Sequence, residues 1–131
     1  MLKEFTLSTG PQGFIPITHR VQEYINSLQI TEGIAIIYCP HTTAGITINE
    51  NADPDVVHDL LLALDTIFTD DTRFLHGEGN SAAHLKASVM GSSVTVPIEN
   101  GKLTLGVWQG IYFCEFDGPR KRTFHCKVMK G

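Results

Sequence analysis

The chain has 131 residues, 42% of them apolar and 18% charged, with ten basic against fourteen acidic residues and a net charge of −4. That balance is globular, fits one domain over 1–131, and supports a core without covalent staples. It argues against a nucleic-acid binder, which needs a basic stripe, and no run of about 18 apolar residues predicts a membrane span.

The N-terminal Met1-Leu2-Lys3-Glu4 has no apolar signal-peptide core. Cys39, Cys114 and Cys126 are odd in number and none forms a C-x-x-C pair, so they read as reduced, buried thiols in a cytoplasmic protein. Residues 2–8 alternate and predict a strand, which Gly10, Pro11 and Gly13 break. Thr18 can cap a helix carrying Val21, Tyr24, Ile25 and Leu28. Gly33 to Cys39 is an apolar, β-branched run that predicts a buried strand ended by Pro40. Thr42 to Ile48 predicts the next strand. Asp53 and Pro54 then fit the N-cap and first position of a helix whose Val57, Leu60, Leu61, Leu64 and Phe68 share one face. Residues 69–79 predict a loop. Asn80 or Ser81 can cap a third helix with Ala83, Leu85, Ala87 and Met90, closed by Gly91. Val94, Val96 and Ile98 alternate into the Asn100-Gly101 turn, and Lys102 to Leu105 returns. Strands over 110–116 and 123–128 flank a turn at 117–120. Three helices among such strands predict an α+β fold with a mostly antiparallel sheet.

Three polar clusters carry chemistry. In Pro40-His41-Thr42-Thr43 an imidazole stands at a strand end, where sites are commonly built. The alternative is that the threonines begin a strand and His41 fills a turn; spacing does not choose. In His76-Gly77-Glu78-Gly79-Asn80-Ser81, followed by His84, Asn80 and His84 project from one face near a helix start. Two histidines here and one from elsewhere could hold a divalent metal with an open coordination position, and a helix start offers N–H groups to an anion. The alternative is a solvated loop with capping residues. In Glu115-Phe116-Asp117-Gly118-Pro119-Arg120-Lys121-Arg122, Glu115 and Asp117 extend the face of Ile111 and Phe113, and Arg122 that of Phe124 and Cys126. This is either a salt-bridged hairpin end or acid–base carboxylates beside phosphate-binding arginines. The single tryptophan, Trp108, lies between Gly106 and Gly110 and could wall a flat ligand; core packing or a subunit interface is its commoner use. His19, His58 and His125 read as surface or capping residues. There is no P-loop, dinucleotide fingerprint or nucleophile elbow, and no organic cofactor is evident.

Together these stretches resemble the YjbQ family, the secondary thiamine-phosphate synthase-like proteins. The resemblance lies in His41-Thr42-Thr43-Ala44-Gly45-Ile46-Thr47-Ile48-Asn49-Glu50-Asn51-Ala52-Asp53-Pro54-Asp55-Val56, His76-Gly77-Glu78-Gly79-Asn80-Ser81-Ala82-Ala83-His84-Leu85-Lys86, Gly106-Val107-Trp108-Gln109-Gly110-Ile111 and Glu115-Phe116-Asp117-Gly118-Pro119-Arg120. Gly45 and Val107 depart from the family's pattern, and neither removes a polar group. The resemblance implies a half-barrel sheet with about three helices packed on it, a homotrimer, and a cleft where His41, His76 and His84 could bind zinc or magnesium. It implies the joining of a hydroxymethylpyrimidine diphosphate to a thiazole phosphate with release of pyrophosphate. On that reading Asp117, Glu115 and His84 do the acid–base work. Thr42, Thr43, Asn80, Trp108, Arg120 and Arg122 contact a small phosphorylated substrate. Two other readings stand beside it: a trimeric small-molecule or metal-binding module without catalysis, and a metal-assisted hydrolase.

Overall fold

The computed structural model describes residues 1–131. In chain order it contains β1 (Leu2–Ser8), β2 (Gly13–Pro16), α1 (Thr18–Leu28), β3 (Gly33–Tyr38), β4 (Ala44–Glu50), α2 (Pro54–Ile67), α3 (Ser81–Met90), β5 (Ser93–Glu99), β6 (Lys102–Leu103), β7 (Gln109–Glu115) and β8 (Lys121–Lys130). Two sheets form, ordered β1-β8-β3-β5-β6 and β2-β7-β4, and every pairing is antiparallel. The result is an α+β fold whose antiparallel sheet curls into a half-barrel beside three helices. No helix is long and apolar enough to cross a membrane.

β7 explains the layering. Every residue from Gly110 to Glu115 is buried, so both faces of this strand are covered. Ile111 and Phe113 enter the main core with Val21 and Ile25 of α1, Ile37 of β3 and Phe124 of β8. Tyr112 and Cys114 point the other way, into a smaller cluster with Leu64 of α2 and Ala83 and Ala87 of α3. The alternation of a strand thus divides one run of apolar residues between two cores.

Several local expectations changed on contact with tertiary structure. β2 lies in the stretch expected to be a break, because Gly13 to Pro16 pair with Glu115 to Tyr112. Thr18 does not cap α1; its Oγ1 accepts from the Ile111 amide at 2.8 Å and ties the helix start to β7. Asp53 does cap α2, accepting from the Asp55 amide at 2.9 Å with Pro54 behind it. In α3 the inward residue is Lys86 rather than Leu85, which is 39% exposed. The lysine stem is buried while its Nζ reaches Asp65 Oδ1 at 2.5 Å and Gln12 Oε1 at 3.1 Å. That hydrogen bond from Lys86 holds the Asp65 carboxyl below its ordinary value.

Candidate functional site

Four chain segments meet at one end of β7. The β4–β7 ladder runs out at Ala44 and Glu115, and the Phe116 amide continues it by donating to the Thr43 carbonyl at 3.2 Å. This brings the β3–β4 loop (40–43) beside the β7–β8 turn (116–120). The start of α3 closes over both: Asn80 Nδ2 donates to Asp117 Oδ2 at 2.8 Å. Asn80 occupies the N-cap position of α3 yet makes no capping hydrogen bond. An asparagine there ordinarily accepts from a first-turn amide. Here its amide group serves Asp117 instead, and its Oδ1 is buried without a partner.

These segments border an open cleft with a volume of about 340 Å³. His41, His76 and His84 line it, as do Thr42, Thr43 and Asn80. Asp117, Arg120 and Arg122 complete the polar wall, and Glu78 joins them. Of the residues singled out in the sequence, only Glu115 and Trp108 lie outside this wall.

Glu115 is corrected from acid–base residue to buried brace. It is 1% exposed and receives Arg122 Nε at 2.8 Å and Arg122 Nη2 at 2.5 Å. Thr9 Oγ1 donates to it at 2.5 Å and the Asp117 amide at 3.1 Å. Burial pushes its carboxyl up, but these hydrogen bonds outweigh burial and hold it below its ordinary value. Arg122, 5% exposed, also donates to Thr43 Oγ1 at 2.8 Å. Glu115 therefore fixes Arg122 in the cavity floor without touching the space above.

Trp108 lies apart from this wall. It precedes β7 at the end opposite Glu115, roughly 20 Å away along the strand. Its side chain is 61% exposed. It packs neither in the core nor against the cavity of its own chain.

Asp117 and Arg120 form the rim. Arg120 Nη2 donates to Asp117 Oδ2 at 3.0 Å, and its Nε to the Asp117 carbonyl at 2.7 Å. Burial is the largest single influence on the Asp117 carboxyl and pushes it up, but hydrogen bonds from Asn80 and Arg120 and the charges of Arg120 and Arg122 together outweigh it and leave it below its ordinary value. Asp117 is consequently an ionised acceptor at neutral pH. Nη1 of Arg120 and of Arg122 engages no protein acceptor.

His41 does structural duty too. β3 stops at Tyr38 before Pro40, so β8 loses its neighbour beyond His125. His41 Nε2 fills that gap, 3.0 Å from the Thr123 amide nitrogen and 3.1 Å from its carbonyl oxygen. Burial and the Arg122 charge push the His41 imidazole below its ordinary value, so it is neutral at pH 7. Because Nε2 accepts from the Thr123 amide, the proton of the neutral ring lies on Nδ1, which is left to donate to a ligand. His76 and His84 stand edge to face with ring centroids 5.3 Å apart. The three imidazoles share the cavity without closing on a point: no three His, Cys, Asp or Glu side chains gather in metal-holding geometry. The residues present therefore do not make a three-histidine metal site, and only His76 and His84 stand close enough to share a ligand. His19 and His58 are exposed beside Glu23 and Asp59, and His125 is half-buried against Glu4.

Comparison with known proteins settles the lineage. The family model described as UPF0047 protein YjbQ-like matches residues 3–131. This chain belongs to the YjbQ (UPF0047) family. It is 53% identical to the UPF0047 protein YugU of Bacillus subtilis, over 98% of this chain and 99% of that protein. It is 48% identical to the UPF0047 protein MJ1081 of Methanocaldococcus jannaschii, over 98% of this chain and 94% of that one. A crystal structure of a YjbQ/UPF0047 family protein from Clostridium acetobutylicum superimposes with a TM-score of 0.94 at 54% identity, covering 97% of this chain and 99% of that chain. The structure of APE1520 from Aeropyrum pernix superimposes at 0.93 with 30% identity, covering 100% and 99%. The fold is thus shared with a solved structure at 30% identity as closely as with one at 54%.

Proposed function

We propose that the cavity is an active site for a small phosphorylated substrate and supports a thiamine-phosphate-synthase type of transfer. The observation that carries this reading is the joint presence, around one space, of three imidazoles, Asp117, and two arginines whose Nη1 groups are free of protein acceptors. Guanidinium groups lining a cleft partly screened from solvent hold phosphate oxygens more strongly than they would in bulk water. In the proposed reaction the carbon–oxygen bond of the pyrimidine methyl diphosphate breaks. The thiazole nitrogen forms the new carbon–nitrogen bond, and pyrophosphate departs with the electron pair. Arg120 and Arg122 hold the departing diphosphate, and His84 supplies it with a proton. Asp117, fixed by Asn80 and Arg120, orients the substrate through an acceptor contact. Thr42 and Thr43 border the same space.

The proposed working unit is a homotrimer. Exposed apolar residues on the outer face of the larger sheet, Leu2, Ile34, Tyr38 and Met129, favour self-association. Three buried free thiols favour a reducing, cytoplasmic setting.

The test is product formation by purified protein given both substrates and each metal in turn. His84→Ala and Asp117→Asn are expected to lower the rate by about 100-fold or more. Wild-type protein that makes no thiamine phosphate under any of these conditions would refute the transfer. Pyrophosphate binding without product would favour the binding module instead.

A further inference from the structure

Helix α2 carries two apolar rows, and the core uses one of them. Val57, Leu64 and Phe68 enter the smaller core. Val56, Leu60, Ala63 and Ile67 are spaced four, three and four residues apart, so they line up along a neighbouring face for about 16 Å. None of these four belongs to either core. Val56 and Leu60 are half-buried, while Ala63 and Ile67 are exposed, Ile67 by 69%. A single exposed leucine is ordinary; a continuous row at this spacing is the pattern that seats one helix against another. No residue of α2 lines the cleft, so this face is separate from the phosphate reading above.

The charge beside the row has one sign. Seven of the fourteen acidic residues fall between Glu50 and Asp71, and the chain has no lysine or arginine between Arg20 and Arg73. Part of this charge has work within the fold: Asp53 caps α2, Asp65 receives Lys86 and Asp71 receives Arg73. Asp55 suits the helix start. Asp59 has no such role. It lies in mid-helix, meets only the neighbouring His58, and stands one turn from Asp55 with the same charge, an arrangement that weakens a helix. Asp59 neighbours Val56 three residues before it and Ala63 four after, so its carboxylate borders the apolar row.

We infer that this face of α2 is a docking surface for a cationic amphipathic helix. The apolar row of that helix lies along Val56, Leu60, Ala63 and Ile67, and its lysines or arginines meet Asp55 and Asp59. Apolar burial supplies the affinity, and opposite charge fixes the register and speeds association. A helix of a second copy does not match: α1 has Arg20 as its only lysine or arginine, α2 has none, and Lys86 of α3 is buried against Asp65. An anionic lipid surface would meet like charge.

Calorimetric titration of the full-length protein at physiological ionic strength tests it. The probe is a peptide of leucine, lysine and alanine, with its leucines in the spacing of the α2 row and its lysines along one edge. A shuffled peptide of the same composition is the reference. Wild type is expected to bind the patterned peptide about tenfold tighter or better than the shuffled one. Ile67→Ser and Asp59→Lys are each expected to weaken that binding about fivefold or more. Leu62→Ser, also exposed but away from the row, is expected to stay within about twofold of wild type. All three positions are exposed, so the variants keep the fold. Equal binding of the two peptides, no binding of either, or a loss in Leu62→Ser that matches Ile67→Ser would overturn the inference. So would sedimentation in which Ile67→Ser lowers the mass of the wild-type assembly, since a second copy would then cover the row.

Discussion

Replacing Glu115 by leucine strands the Arg122 guanidinium in the interior, and the expected loss of stability is large. The two side chains are 1% and 6% exposed, linked through both carboxylate oxygens. Removing one member of such a pair costs about 3–5 kcal/mol, because the other charge stays buried and unpaired. A 131-residue chain unfolds with an entropy of about 0.28 kcal/mol per kelvin, so Tm should fall by roughly 11–18 °C. The paired replacement Glu115→Leu with Arg122→Met removes both charges. It leaves Thr9, Thr43 and the Asp117 amide short of partners, at about 1 kcal/mol each. The double variant should therefore sit within about 1–3 kcal/mol of wild type, with a coupling of about 2 kcal/mol or more. Guanidinium denaturation at pH 7 on all four proteins measures this. A single variant that loses under about 1 kcal/mol, or a double variant whose losses simply add, would refute the claim that Glu115 acts by compensating Arg122.

Stability should also respond to pH in two stages. The His41 imidazole is lowered by burial and Arg122, so the unfolded chain binds a proton first as pH falls below 6.5, and stability declines from there. Glu115 and Asp117 are lowered as well, so their contribution is full above 4.5 and lost as pH falls through their folded values. Denaturation from pH 8 down to about pH 2 should show both stages, and His41→Gln should abolish the first; an unchanged first stage would assign it elsewhere. Gly45→Ala should lower stability by about 1–3 kcal/mol, since the added Cβ meets the Gly91 carbonyl, a backbone atom that cannot swing aside. A neutral result in the same denaturation series would show that α3 is free to shift. Trp108→Ala should leave pyrophosphate affinity within about twofold of wild type, and a larger loss in calorimetry would place the indole at a site after all.

What the sequence made legible follows from how local each cause is. Asp53-Pro54 announces α2 because a cap and a fixed φ act within three residues. β2 was not legible, because Gly13 to Pro16 become a strand only by pairing with β7. Leu85 reads as inward in the third helix, but Lys86 is the buried one because Asp65 and Gln12 arrive from two other segments to meet its ammonium. The parity that put Glu115 and Asp117 on one face fails because β7 ends at Glu115, and alternation has no hold beyond a strand end. One carboxylate falls inward and the other reaches the cavity. Spacing could not join His41 to His76 and His84, since their meeting depends on the long-range contact of Thr43 with Phe116 and of Asn80 with Asp117. The family resemblance brought them together. A usable residue-level signal was Asn80, whose side chain leaves its capping role to hold Asp117.

Titration of the purified protein with inorganic pyrophosphate tests the central claim most directly. Saturable one-to-one binding, weakened about tenfold or more by Arg120→Ala and by His84→Ala, is the predicted result. Pyrophosphate that fails to bind, or binds equally well to wild type and both variants, would contradict the assignment of this cavity as a phosphate site.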